Sequence, residues 1–357
     1  MAAVTAFFER TDLHKTAKPY SWDGPDGQSF PKSNFVMKDM ELNLTDIRTL
    51  PDFKPTIEEN GFCFLENKSK ELSKMTGADD CKPYLEEMAQ FFFEMHVRKE
   101  AARDTFLSPT WVGLATIIVN RAPNWPLRSR LYAAVELDFQ SDSKRIFIIS
   151  SAHCSFLPLI RIMAADNTVA SSWSRISLFL TEEERQRVLS GQSRARIINI
   201  WRPMFNHAED IPFAVCDPRT NIDLADVVSV DRITHEAAKE VAYFSWNPAH
   251  RWYWMSNQTP DEIVIMTQYD THPPGGFFNI VPHAAFRNGA ARPGCPTRYS
   301  VEARFIVLEP APYQKDGPGP NGPFPEESRL QPWKKWVTPP EPKAVPAPTA
   351  DARPMYF

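Results

Sequence analysis

A chain of 357 residues is long enough for one large domain with a substantial core, or for two. With 43% hydrophobic and 24% charged residues it has the balance of a globular protein, and its net charge of −4 without any basic run excludes an electrostatic footprint for nucleic acid. No stretch of 18 apolar residues exists to span a membrane, the N-terminus lacks the apolar core of a secretory signal, and Cys63, Cys81, Cys154, Cys216 and Cys295 form no C-x-x-C, so the expectation is a cytoplasmic protein with reduced thiols, no zinc site and no disulfide framework.

Residues 1–60 read as irregular and polar, with scattered aromatics. A helix is predicted from Pro83, a residue suited to a first helical turn, because Leu85, Met88, Phe92 and Met95 recur at spacings of three and four. Strands are predicted around Leu131–Val135 and Arg145–Ile149, where β-branched and apolar residues concentrate. The segment "SPTWVGLATIIVNRAPNWPLRSRLYAAVELDF" before them is open to three readings: a lid, a dimer contact or one wall of an enlarged pocket. In "SSAHCSF", His153 and Cys154 are adjacent and point oppositely in a strand, which argues against a nucleophilic pair. Thr181 followed by Glu184 is a capping box, and Gly191 suits the residue past that helix's end. From Ala195 onward "ARIINIW", "EVAYFSW", "DEIVIMTQY", "FFNIV" and "SVEARFIVL" are short β-type runs separated by Pro, Gly and Asn, which predicts an antiparallel sandwich or barrel. From Glu309 the chain carries 13 of its 33 prolines. The division expected is therefore one domain over 1–310 and a Pro-rich arm over 311–357, extended against the domain or a partner, or loose.

Five stretches carry a resemblance: "IINIWRPM" (197–204), "FAVCDPRT" (213–220), "NPAHRWYWMSNQTPDEIVIMTQYD" (247–270), "VPHAAFRNGAARPGCP" (281–296) and "RYSVEARFIVL" (298–308). Their order and spacing resemble the fungal hydroxylase/desaturase family of iron/2-oxoglutarate oxygenase-like proteins, which includes proteins like the cephalosporin methoxylase subunit. The resemblance implies a mainly β fold with flanking helices, a double-stranded β-helix or jelly-roll barrel. It also implies, in active members, Fe(II) held by an H-x-D and a later histidine, with three places left for 2-oxoglutarate and O₂. On this chain Asp166 matches the carboxylate and His283 the distal histidine. Arg304, inside a predicted strand, and Arg298 are the candidates to pair with the co-substrate's carboxylate. The first histidine is replaced by Ala164, which has no lone pair to give.

From that missing imidazole follows the expectation of an enzyme with no metal and no cofactor, in which His283, Arg304 and Asp166 act on the substrate. Asp166 has an equal reading as a turn residue in "DNT". Arg298, Trp201, His250, Trp252, Tyr269 and Phe278 are the candidate substrate-binding residues, with barrel packing as the plainer reading for Trp201 and for most of "NPAHRWYW". The ten Trp and 24 Phe suit an apolar guest, although ordinary core packing explains most of them. The chain looks like the hetero-Diels–Alderases of fungal tropolone–sesquiterpene pathways. That implies dehydration of a tropolone-type polyketide to a quinone methide and its stereoselective cycloaddition to a sesquiterpene alkene. The alternatives are an Fe(II)/2-oxoglutarate oxygenase with an altered metal site, and a non-catalytic small-molecule-binding protein. The partners expected are polyketide or terpene small molecules, with no nucleic acid and no membrane; a homodimer is the assembly considered.

Overall fold

The computed structural model describes residues 3–22, 31–75, 81–101, 112–113, 116–120, 137–138, 145–146, 164–165, 167–220, 226–233, 237–273, 280–310 and 355–356. At its centre lies the strand Ser193–Pro203, buried at every position. It is the middle of a five-stranded sheet in the order Phe62–Glu66, Glu262–Asp270, Ser193–Pro203, Ser300–Pro310, Thr116–Asn120, and every pair is antiparallel. Successive side chains of a strand point to opposite faces. Ile198 and Ile200 therefore share one face with Ile263, Ile265, Val301, Ala303, Phe305 and Val307. The helix Lys82–Ala101 covers that face with Tyr84, Leu85, Met88, Ala89 and Phe92, and Met95 packs at the margin. This is the periodicity seen around Pro83; each such side chain contributes roughly 1.5–3 kcal/mol by leaving water.

The larger sheet runs Tyr20–Trp22, Val227–Ile233, Ala237–Phe244, Ala164–Ala165, His283–Ala285, Phe213–Cys216, Trp252–Trp254, Leu44–Asp46. Its internal pairs are antiparallel, while Tyr20–Trp22, Leu44–Asp46 and the short Met355–Tyr356 strand join in parallel. The two sheets meet where Trp201, Val264 and Met266 of the first pack with Phe213 and Val215 of the second. Among the described residues there are also two three-stranded sheets: Arg287–Asn288 with Ala3–Glu9 and Val36–Glu41, and Val112–Gly113 with Arg145–Ile146 and Leu137–Asp138. The fold is mainly β with few helices, as expected, but among the described residues the strands form separate open sheets rather than a closed barrel. Among the described residues no helix is long and apolar enough to cross a membrane.

Two sequence expectations change. The first 60 residues are not irregular: Ala3–Glu9 and Val36–Glu41 pair over six positions. The signal was weak because Val36–Glu41, "VMKDME", lies at an edge and has no buried residue, so it needs no apolar face. Of the run "FFNIV" only Ile280 and Val281 are described; both are buried and outside any strand, and pairing begins at His283, after Pro282, which cannot donate to a ladder. Of the two predicted strands before the site, Arg145–Ile146 is present, and Leu131–Val135 lies outside the described residues. The second short helix, Glu182–Leu189, begins as the sequence required: Thr181 Oγ1 accepts from Glu184 N at 3.3 Å and Glu184 Oε2 from Thr181 N at 2.8 Å. Gly191 follows it with φ +77°, a left-handed value that suits glycine.

Candidate functional site

Register decides which residues look into the space between the sheets. Directly opposite residues in an antiparallel pair share a face. Asn199 stands opposite Arg304 and Met266, Trp201 opposite Glu302 and Val264, and Ile197 opposite Tyr269 and Ile306. All of these lie on the face away from the helix Lys82–Ala101. A one-residue bulge in the partner strand at Gln268, beside Ile197 and Ile198, is what brings Tyr269 onto this face along with Met266.

Three of these residues close a triangle of hydrogen bonds. Arg304 donates through Nε to Asn199 Oδ1 at 2.7 Å and through Nη2 to Glu302 Oε1 at 2.6 Å, and Asn199 Nδ2 donates to the same Glu302 oxygen at 2.8 Å. All three are buried. A buried guanidinium is tolerated only when paired, and here its charge is met by Glu302.

Beside the triangle runs a column of rings. The Arg298 guanidinium lies 5.4 Å over Trp201, Trp201 stacks on Phe213 at 4.7 Å and 14°, and Phe213 sits 5.6 Å from the His283 ring. Arg298 is anchored by Nη1 donating to Ile211 O at 2.7 Å and by its own N–H on Asp210 Oδ1 at 3.0 Å. His283 is buried, and its Nδ1 donates to Val281 O at 3.1 Å, since a carbonyl only accepts. That bond makes Nδ1–H the donor, so in the neutral ring the lone pair is on Nε2, the atom that can ligate a metal or take a proton.

The structure thus brings together His283, Trp201, Arg298 and Arg304 from the sequence candidates. Tyr269 lies one row from Arg304 with its hydroxyl buried, and burial pushes its pKa up. Trp252 does not join them. It stands opposite Cys216, on the reverse face from Val215 and His283, and meets Phe7 edge-on at 6.3 Å. His250 is held in the turn before that strand, its Nε2 3.1 Å from Asp226 Oδ2. Asp166, Phe278, His153 and Cys154 lie outside the described residues. Sequence reasoning missed Phe213, Asn199 and Glu302. Phe213 carried no signal of its own, but Asn199 and Glu302 did: each is a polar residue interrupting a strand whose neighbours are apolar, and a buried polar group needs a partner.

Ala164 has a telling place. In the sheet it is the register partner of His283 on one side and of Tyr243 on the other. Iron in a 2-His-1-carboxylate site needs two imidazoles and a carboxylate on one face of the metal. Among the described residues no group of three or more His, Cys, Asp or Glu could hold a metal ion, and the partner of His283 is an alanine. The described residues therefore do not fit a complete site of that kind.

Residues 159–308 match the family described as an oxidoreductase/YMDC permease-like domain (YDMC). The chain is 33% identical over 128 residues to the hydroxylase/desaturase efuI of Hormonema carpetanum, a stretch covering 33% of this chain and 42% of that protein. It is 30% identical over 155 residues to the Fe(II)/2-oxoglutarate-dependent dioxygenase nvfI of Aspergillus novofumigatus, covering 42% and 52%. The chain thus spans about half the length of the curated relatives it matches. A solved structure of the iron and alpha-ketoglutarate-dependent endoperoxidase NvfI shares the fold, with a TM-score of 0.57 at 20% identity over 87% of this chain and 98% of that one. The expectation of a protein without cofactors is corrected by these findings: the relative nvfI and the structural neighbour are both named for iron and 2-oxoglutarate (alpha-ketoglutarate). The loss of one imidazole was too narrow a basis for it.

Proposed function

We propose that the chain is an Fe(II)/2-oxoglutarate-dependent oxygenase of fungal secondary metabolism, of hydroxylase or desaturase type, with an altered metal site on a double-stranded β-helix scaffold. The observation that supports it best is His283, oriented by Val281 O at the end of the Arg298–Trp201–Phe213 column, in a fold shared with an iron-dependent endoperoxidase. Trp201 and Phe213 offer an apolar wall to a polyketide- or terpenoid-type substrate. Arg304, fixed in place by Asn199 and Glu302, is the guanidinium we assign to a carboxylate of co-substrate or substrate. The reading takes the protein as cytoplasmic.

The test is succinate release from 2-oxoglutarate by the full chain supplied with Fe(II) and O₂. Release above the protein-free rate is expected, with His283→Ala abolishing it and Arg304→Ala lowering it by at least tenfold, about 1.4 kcal/mol of barrier. No release from folded protein, with or without a fungal polyketide or terpenoid extract, overturns the reading.

Ala164 favours a second reading, in which the same walls orient a tropolone-derived quinone methide and a sesquiterpene alkene for cycloaddition. Orientation of this kind is worth up to about 7–11 kcal/mol. Its test is stereochemistry: Phe213→Ala shifts the ratio of cycloadducts, and an unshifted ratio removes it.

A further inference from the structure

We infer that Gly61 is a positioning residue for the His283 imidazole, acting through Val281; its effect on turnover rests on the oxygenase reading, its effect on the ring does not. The geometry starts at the end of the helix Ile57–Asn60. Gly61 follows that helix with φ +75°, a left-handed value, and its N–H donates to Ile57 O at 3.1 Å. Ending a helix accounts for a glycine here, but not for what lies against it. A Cβ on Gly61 would stand 2.7 Å from Val281 Cγ2, closer than real Cβ atoms come to a neighbour. The missing side chain thus makes room for Val281 as well as for the turn.

Val281 is held in that place by backbone and by packing. Its N–H donates to Thr267 O at 2.9 Å, and the Thr267 N–H in turn donates to Gly61 O at 2.8 Å, so glycine, threonine and valine form a relay. The carbonyl of the next residue, Pro282, accepts from the Cys216 N–H at 2.8 Å. Thr267 belongs to the five-stranded sheet and Cys216 to the larger one, so this short segment is stitched to both. The Val281 side chain is buried with Phe62, Met266 and Val215.

His283 takes its bearing from that valine. Its Nδ1 donates to Val281 O at 3.1 Å, near the long end of the N–H···O range. Going from 2.7 Å to ordinary contact, 3.4 Å or more, would push Val281 or Gly61 back by about 0.7 Å. A retreat of Val281 by that much breaks the bond, and the ring proton is then no longer tied to Nδ1 nor the lone pair to Nε2.

The experiment is ¹⁵N NMR of the histidine side chains in the full chain with no metal added, His283→Ala identifying the signal. Gly294 supplies the control: it has φ +76° and nothing within 4 Å of its Cβ position, so Gly294→Ala carries the same backbone strain without the clash. Expected in the native chain and in Gly294→Ala is one tautomer, with the proton on Nδ1. Gly61→Ala should mix the two tautomers. Gly61→Ala/Val281→Ala removes Cγ2 from the contact and should return the native pattern, although the strain at 61 remains. Succinate release per folded molecule should follow the same order, falling through kcat by at least about tenfold in Gly61→Ala alone. A folded Gly61→Ala protein with the native His283 signal overturns the inference. So does a double variant as displaced as the single one, or a native ring protonated on Nε2. If Gly61→Ala does not fold, Val281→Leu crowds the same contact with the glycine in place, and an unmoved His283 signal then overturns the inference. A ring that follows the expected order in proteins that release no succinate keeps the inference and removes the oxygenase reading.

Discussion

The two faces of the strands Ser193–Pro203 and Ser300–Pro310 are built from the same backbone and do opposite work. The face under the helix Lys82–Ala101 is apolar at its middle and carries a network of paired charges at one end. There Arg194 donates to Asp270 and to Glu58 at 2.9 and 3.0 Å, and Arg196 to Glu58 and Glu309 at 2.8 Å each. The other face carries Trp201, Asn199, Glu302 and Arg304, opposite Phe213 and His283. One face spends its polar groups on holding the end of the sheet; the other gathers them around the space between the sheets. Period two lets one strand serve both ends, so stability and activity should come apart by residue parity.

The largest effect expected on that comparison is from Arg196→Ala. Removing Arg196 leaves buried Glu309 with only the 3.3 Å contact from Arg194, and the cost should approach the roughly 3–5 kcal/mol of a broken buried pair in urea unfolding, with succinate release per folded molecule unchanged. A loss below about 1 kcal/mol would blur the distinction. On the opposite face, Phe213→Leu removes the ring from the column at a stability cost of only about 0.5–1.5 kcal/mol, while succinate release should drop near tenfold. Equal losses in stability and activity would show that the column is packing alone.

The smallest effect belongs to Lys18, on neither face. Burial by itself would lower its pKa, but the carboxylates of Glu240 and Asp231 outweigh that and raise it above 10.5. A raised lysine stabilises fully below its unfolded value and loses that contribution as pH climbs through the folded one. Urea midpoints of the native chain should therefore decline above pH 10.5, and Lys18→Met should lack that step. A decline of the same size in the variant assigns it to other groups.

Much of this could be read from residues alone. Leu85, Met88 and Phe92 announced their helix because a helix on a sheet buries one stripe. "ARIINIW" and "SVEARFIVL" announced strands, and Thr181 with Glu184 fixed a helix start. His283, Trp201 and Arg304 were identified and now stand together. What escaped depended on register and on partners distant in the chain. Trp252 and His250 lie in a run as aromatic as any site, yet only the pairing of Trp252 with Cys216 reveals that this face looks away from His283. Phe213 is an ordinary apolar residue until Trp201 stacks on it. The cofactor expectation failed for a related reason: a substitution at 164 describes one donor, whereas the reaction class is carried by the whole assembly.

The antiparallel pair Val227–Ile233 and Ala237–Phe244 is a lateral brace. It abuts the two-residue strand Ala164–Ala165 on the side away from His283. Lengthening, shortening or stiffening that pair would slide position 164 against its neighbour without altering a single residue of the ring column. Length changes in a buttress some sixty residues downstream in the chain thus reach the strand neighbour of His283 directly.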